Sequence, residues 1–183
     1  CKSLEKAGWR GIWVAPDSSG VVPASVFEEV LSENCQFVAL MLANNETGVI
    51  QPVAEVAQAA KKVGALVVCD AVQAVGKIPF SIKSLQADYV TITAHKMYGP
   101  KGIGALWSRP GKTVQAQQLG GAQERGRRGG TENVAGAVGL GAACRLIQAE
   151  QDIEVSHMEN LRNTFEEGIV QRLDDVQIHG KKV

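Results

Sequence analysis

Three polar strings in this sequence share one placement, at the close of a short apolar run. Asn44-Asn45-Glu46-Thr47-Gly48 follows the run Phe37 to Ala43, Asp70-Ala71-Val72-Gln73 follows Leu66 to Cys69, and Thr93-Ala94-His95-Lys96 closes the run that starts at Tyr89. Taken singly, each has a plain structural reading: an adequate turn, a helix-capping aspartate, a solvated strand end. Among them stand an amine (Lys96), a carboxylate (Asp70), the carboxamides of Asn45 and Gln73, and a hydroxyl–imidazole pair (Thr93 and His95). A lysine at the end of a buried strand loses solvation, which favours the free amine that a carbonyl nucleophile needs. A facing aspartate such as Asp70 can hold a pyridinium nitrogen, Gln73 or Asn45 can hydrogen-bond a phenolic oxygen, and Thr93 and His95 suit a phosphate. Those are the parts of a pyridoxal phosphate (PLP) site: Schiff-base lysine Lys96, carboxylate partner of the ring nitrogen, and phosphate cup.

Such a set requires strands whose carboxyl ends lie side by side, because α/β sheets place ligands beyond those ends. The patterning supplies them. Val53, Val56, Ala57, Ala60 and Val63 recur at helical spacing, opened by Pro52 and followed by Gly64, which predicts a helix. Phe37 to Leu42 and Leu66 to Cys69 flank it as continuous apolar runs of strand length, the mark of strands covered on both faces, and a β-α-β unit follows. Tyr89 to Thr93 and Ile103 to Trp107 read as two more strands. The Gly99-Pro100-Lys101-Gly102 turn between them is too short for a crossover, so the last strand should run antiparallel. The fold class expected is α/β: a mixed, mostly parallel sheet flanked by helices. Beyond a Gly- and Arg-rich loop from Gly120 to Gly130, the stretch Asn133 to Ala149 predicts a tightly packed helix. Val155, Met158, Leu161, Phe165 and Ile169 mark a second, amphipathic one, and Val176 to Val183 could start another strand.

Composition narrows the class. The 183 residues are 45% hydrophobic, and 19 basic side chains balance 19 acidic ones, so a core is affordable and a dominant nucleic-acid role is excluded. The longest apolar run falls far short of the roughly 20 residues that span a bilayer, and no charged-then-apolar leader opens the chain, so a cytoplasmic protein off the membrane is expected. The cysteines Cys1, Cys35, Cys69 and Cys144 are dispersed, without a C-x-x-C pair or a nearby histidine cluster, which argues for a reduced chain and no metal site. Cys69, inside an apolar run, reads as a small buried hydrophobe.

The strings ANNETGVIQPV, VVCDAVQAVGKIPF, ITAHKMYGPKGIGALW and GGAQERGRRGGTENV, in this order over residues 43 to 134, resemble the cysteine desulfurases of the NifS/IscS kind. These stand within the class V aminotransferase family of fold-type I PLP enzymes. The resemblance implies that Lys96 forms the internal aldimine with PLP and later moves the substrate α-proton. It also implies that Asp70 pairs with the pyridinium nitrogen, that Gln73 and Asn45 bind the ring oxygen or incoming substrate, and that Ala71 packs on one ring face. Thr93 and His95 would bind the phosphate, and Thr131 would reach the phosphate of a neighbouring subunit, making a homodimer part of the site. The implied substrate is L-cysteine, released as L-alanine while sulfur passes as a persulfide to an acceptor such as an iron–sulfur scaffold protein. For Arg125, Arg127 and Arg128 a solvated or dimer-contact loop and an anion contact both stand open.

The departures from that family are informative. An upstream stacking histidine, an upstream phosphate loop, a downstream sulfur-accepting cysteine and a downstream carboxylate-binding arginine have no counterparts here; His157 and His179 lie in the tail. The expectation is a central piece of a longer enzyme, inactive alone. Residues 1–150 would form part of the PLP-binding large domain, and 151–183 a connecting helix and the start of a smaller domain. Selenocysteine lyases, other class V enzymes and a non-catalytic dimerisation or docking piece remain alternatives at this level.

Overall fold

A computed structural model describes residues 2–180. In chain order the helices are α1 (Lys2–Lys6), α2 (Ala24–Val30), α3 (Val53–Lys62), α4 (Gln123–Gly126) and α5 (Val134–Val170); the strands are β1 (Phe37–Met41), β2 (Leu66–Asp70), β3 (Tyr89–Thr93) and β4 (Gly104–Ser108). The strands form one sheet in the order β1-β2-β3-β4. β1, β2 and β3 are mutually parallel, and β4 runs antiparallel to β3, pairing Thr93 with Gly104 and Tyr89 with Ser108. The mixed, mostly parallel sheet expected from the sequence is therefore present, with the antiparallel strand where the short turn required it.

Helix α3 begins after Pro52, whose missing N–H costs nothing at a helix start, and ends before Gly64, which takes a left-handed φ of 76°. Its apolar face, Val53, Val56, Ala57 and Ala60, is buried against the sheet with Val38, Val67, Cys69 and Val90. Burying a valine side chain contributes about 1.5–3 kcal/mol relative to exposure, so this face fixes the β1-α3-β2 unit in place. Once that unit is set, the carboxyl ends of β1, β2 and β3 all open on the same sheet edge.

Two expectations change in the carboxyl-terminal third. The two helices expected over 133–149 and 155–169 are one helix of 37 residues. Asn133 caps it, its Oδ1 accepting the Gly136 N–H at 2.9 Å, and the linking residues Glu150-Gln151-Asp152 contain no glycine or proline to stop it. The helix thus crosses position 150 without a break. Nor is its first half tightly packed: only Gly136 and Ala143 are buried, while Val134, Val138 and Leu146 stand exposed. Small residues here serve close approach at a few points. A Cβ on Gly139 would lie 2.7 Å from Pro100 Cγ, so the glycine lets α5 rest directly on the loop after β3. Residues 176–178 form no strand, and positions 181–183 of the expected tail strand lie outside the described residues.

Candidate active site

The site grows from the register of two strands. Asp70 is the last residue of β2 and pairs with Thr91 of β3, so the residues that follow each strand emerge as neighbours. Alternation along β2 sends Val67 and Cys69 into the core and leaves Asp70 half-buried at its end. One carboxylate oxygen of Asp70, Oδ1, accepts the Val72 N–H at 3.0 Å and the Thr91 hydroxyl at 3.3 Å. Among the described residues, Oδ2 accepts no hydrogen bond, so one oxygen stays available to a ligand. Ala71 is wholly buried at the corner behind it, its N–H bonded to the Thr91 carbonyl at 3.1 Å.

Thr93 and His95 meet directly, Thr93 Oγ1 lying 3.0 Å from His95 Nδ1, with the same hydroxyl 3.2 Å from the Ile103 carbonyl. The chain then makes a short 3-10 turn, Ala94–Lys96, over buried Ala94, which places Lys96 half-buried and His95 exposed. Tyr98, two residues on, has a left-handed φ of 59°, rare for an aromatic residue, and this reversal turns the backbone back toward β4. Backbone bonds from Met97 and Gly99 to the Ala94 carbonyl, at 2.8 and 2.9 Å, lock the turn that carries Lys96.

Gln73 sits in the turn after β2, and its Oε1 accepts from Lys77 Nζ at 3.0 Å. Burial pushes the Lys77 pKa down, and the nearby charge of Lys96 adds to the shift. Asn45 lies exposed in the turn after β1, on the same sheet edge; the turn is held by its neighbour Asn44, whose Oδ1 accepts from Glu46 and Thr47. Thr131 is exposed beyond the Gly/Arg loop. The structure thus brings Asp70, Gln73, Thr93, His95 and Lys96 to adjacent strand ends, sets Asn45 one strand further along, and leaves Thr131 on a separate loop.

Two contributors escaped the sequence reading. Thr91 buttresses Asp70, a role visible only through strand register, although its position two residues before Thr93 put it on the same face. Lys77 bonds Gln73 from four residues downstream, a spacing that signals contact in helices but not in the irregular turn found here. A concavity of about 460 Å³ lies elsewhere, beside β1, with Trp9, Trp13, Phe27, Leu31 and Phe37 in its lining. A smaller one of about 270 Å³ separates Met97–Pro100 from α5. Among the described residues no group of three His, Cys, Asp or Glu side chains could hold a metal ion, and no helix is long and apolar enough to cross a membrane.

Comparison with known proteins agrees with this fold. The chain is 42% identical over 180 residues to a cysteine desulfurase of Klebsiella pneumoniae, covering 98% of this chain and 45% of the relative. It is 41% identical to the cysteine desulfurase IscS of Anaeromyxobacter dehalogenans, covering 97% of this chain and 45% of that protein. Among solved structures, a NifS-like protein superposes with a TM-score of 0.89 at 42% identity, over 93% of this chain and 47% of the other. DndA from Streptomyces lividans superposes with a TM-score of 0.88 at 31% identity, over 99% of this chain and 52% of the other. The chain therefore spans about half the length of the relatives it matches. The model of the aminotransferase class-V family matches residues 1–182, and the chain belongs to that family.

Proposed function

We propose that the protein carrying this chain is a PLP-dependent cysteine desulfurase. The observation that carries the reading is the convergence, at two adjacent parallel strand ends, of a carboxylate with a spare oxygen, a hydroxyl–imidazole pair and a half-buried lysine. The donor set fits the cofactor. Asp70 Oδ2 would meet the ring nitrogen and keep it protonated, Gln73 and Asn45 would face the ring oxygen or substrate, and Thr93 and His95 would hold the phosphate. The ring would lie at the Asp70-Ala71 corner, and Lys96 would hold the cofactor covalently. When bound, PLP supplies an electrophilic carbon for an amine and a protonated ring that draws electron density from the substrate carbon.

Each residue then has a definite task. Thr91 and the Val72 N–H hold Asp70 Oδ1 and so aim the carboxylate's other oxygen at the ring position. Lys96 would take the proton from the substrate Cα and later return one to that carbon. Sulfur would pass to a thiolate, which forms the new S–S bond as the substrate C–S bond breaks; the C–S electron pair stays with Cβ, which takes up a proton to become the alanine methyl group. Of the described cysteines none is placed to receive the sulfur. Cys69 is wholly buried, and its thiol is pushed up to about 12 by burial and the Asp70 charge. Cys35 Sγ donates to the Phe37 carbonyl at 3.6 Å, and Cys144 faces solvent on α5. The receiving thiol is therefore proposed to lie outside residues 2–180. Iodoacetamide on the native protein should label Cys144 and spare Cys69; rapid labelling of Cys69 would contradict this placement.

The reading extends to a homodimer in which Thr131 reaches the partner's phosphate, to residues 151–183 as the passage toward a second domain, and to an iron–sulfur scaffold as sulfur acceptor. The free cysteines Cys35, Cys69 and Cys144 favour a reducing, cytoplasmic setting. The test supplies the intact protein with L-cysteine, PLP and a reductant and measures alanine and sulfide. Alanine formation above free PLP, lost in Lys96→Ala, is expected; output equal to free PLP would contradict the proposal. The 183-residue chain alone is expected to give no such excess.

A further inference from the structure

Gln73 can face a ligand in two ways. Its carboxamide has an acceptor end and a donor end of nearly equal size, and a half-turn exchanges them. A lysine ammonium has only N–H donors. With Lys77 Nζ 3.0 Å from Gln73 Oε1, the oxygen is fixed toward Lys77 and the amino group is left for the site. An exposed lysine–glutamine contact would impose little, because water competes for both groups. Here Lys77 and Gln73 are both half-buried, so water competes little for their contact. The turn itself is held: Lys77 N and Ile78 N both bond the Ala74 carbonyl at 3.0 Å, and Gln151 of α5 donates to the Ile78 carbonyl at 3.0 Å. Lys77 is therefore anchored by its own turn and by the long helix behind it.

We propose that Lys77 is a positioning residue: its ammonium holds the Gln73 carboxamide with the amino group turned to the cofactor's ring oxygen. The proposal rests on the PLP reading above. Two N–H donors suit an ionised ring oxygen and mismatch a protonated one, so Lys77 sets which form of that oxygen the protein prefers without touching it. A neutral side chain of similar length removes this control and lets the carboxamide present its oxygen, which would repel the ring oxygen.

The experiment is a titration of the intact protein, freed of cofactor, with PLP, followed by visible absorbance for wild type, Lys77→Met, Lys77→Arg, Gln73→Ala and the Lys77→Met/Gln73→Ala pair. Lys77→Met should weaken PLP binding by about tenfold, the loss of one hydrogen bond to a charged partner, and should shift the visible band. Lys77→Arg, which still donates to Oε1, should recover most of that loss. The double variant should bind no more weakly than Gln73→Ala alone, since Lys77 acts through Gln73. Additive losses, or wild-type affinity and spectrum in Lys77→Met, would overturn the proposal. If Lys77→Met fails to fold, Lys77→Leu, which likewise has no donor, takes its place in the same cycle. A wild-type protein that binds no PLP would overturn the cofactor reading itself, a result distinct from binding with additive losses.

Discussion

Two aspartates mark opposite ends of the same strands and are treated in opposite ways. Asp88, just before β3, is saturated: its Oδ2 accepts the Val67 N–H at 2.9 Å, its Oδ1 lies 3.5 Å from Arg109 Nε and 3.4 Å from Lys112 Nζ, and its side chain is only 14% exposed. Asp70, at the carboxyl end of β2, has two donors on one oxygen and none among the described residues on the other. A carboxylate engaged on both oxygens holds strands together; one with an oxygen in reserve can bind a ligand. The Asp88 ion pairs tie down the amino-terminal edge of β3, while the proposed site lies at the carboxyl-terminal edge, where parallel strands bring backbone ends together without satisfying them.

The comparison breaks most sharply under substitution of each aspartate. Asp70→Ala in the intact protein should lower turnover by on the order of 10²–10³, the usual cost of removing an electrostatic stabiliser from a reacting centre. Its melting temperature without PLP should stay close to wild type. Asp88→Ala should do the reverse, costing about 2 kcal/mol of stability by stranding the Val67 N–H and two cations, or about 5 °C in Tm, while turnover per folded molecule holds. Thermal melts and kinetics on both variants decide the matter. Equal losses of stability in the two would erase the distinction.

A smaller effect sharpens the same division on α5. Gly139→Ala brings a Cβ to 2.7 Å from Pro100 Cγ in the loop carrying Lys96, whereas Gly141→Ala meets only Arg145 Nη1 at 3.7 Å. Ala for Gly in a helix interior stabilises by about 0.8–1 kcal/mol. Gly141→Ala should realise that gain, and Gly139→Ala should lose it to overpacking and weaken PLP binding as the loop shifts. Equal gains in melting experiments would show that α5 does not brace the site.

How far these features were legible follows from their range in sequence. β1, α3, β2 and β3 rest on local periodicity, and the reversal at β4 on the length of one turn, so each appears in the sequence within about two residues of its place. The placement of Asp70, Gln73, Thr93, His95 and Lys96 at adjacent strand ends was legible because strand ends announce themselves as changes from apolar to polar. Thr91 was not, because its bond to Asp70 depends on a register set by packing between strands 21 residues apart. The single long α5 was misread as two helices because the apolar pattern changes near residue 150 while the backbone does not. Its poor burial was hidden for another reason: Ala, Gly and Leu read as core whether or not anything covers them.

The central claim, that Lys96 is the amine which holds the cofactor, has a direct measurement. The intact protein is loaded with PLP, reduced with borohydride, digested and mapped by mass spectrometry. The pyridoxyl tag should fall on the peptide containing Lys96, and the tag should vanish in Lys96→Ala. A tag on Lys77, the lysine beside it at Gln73, or on Lys101 in the following turn would contradict the assignment.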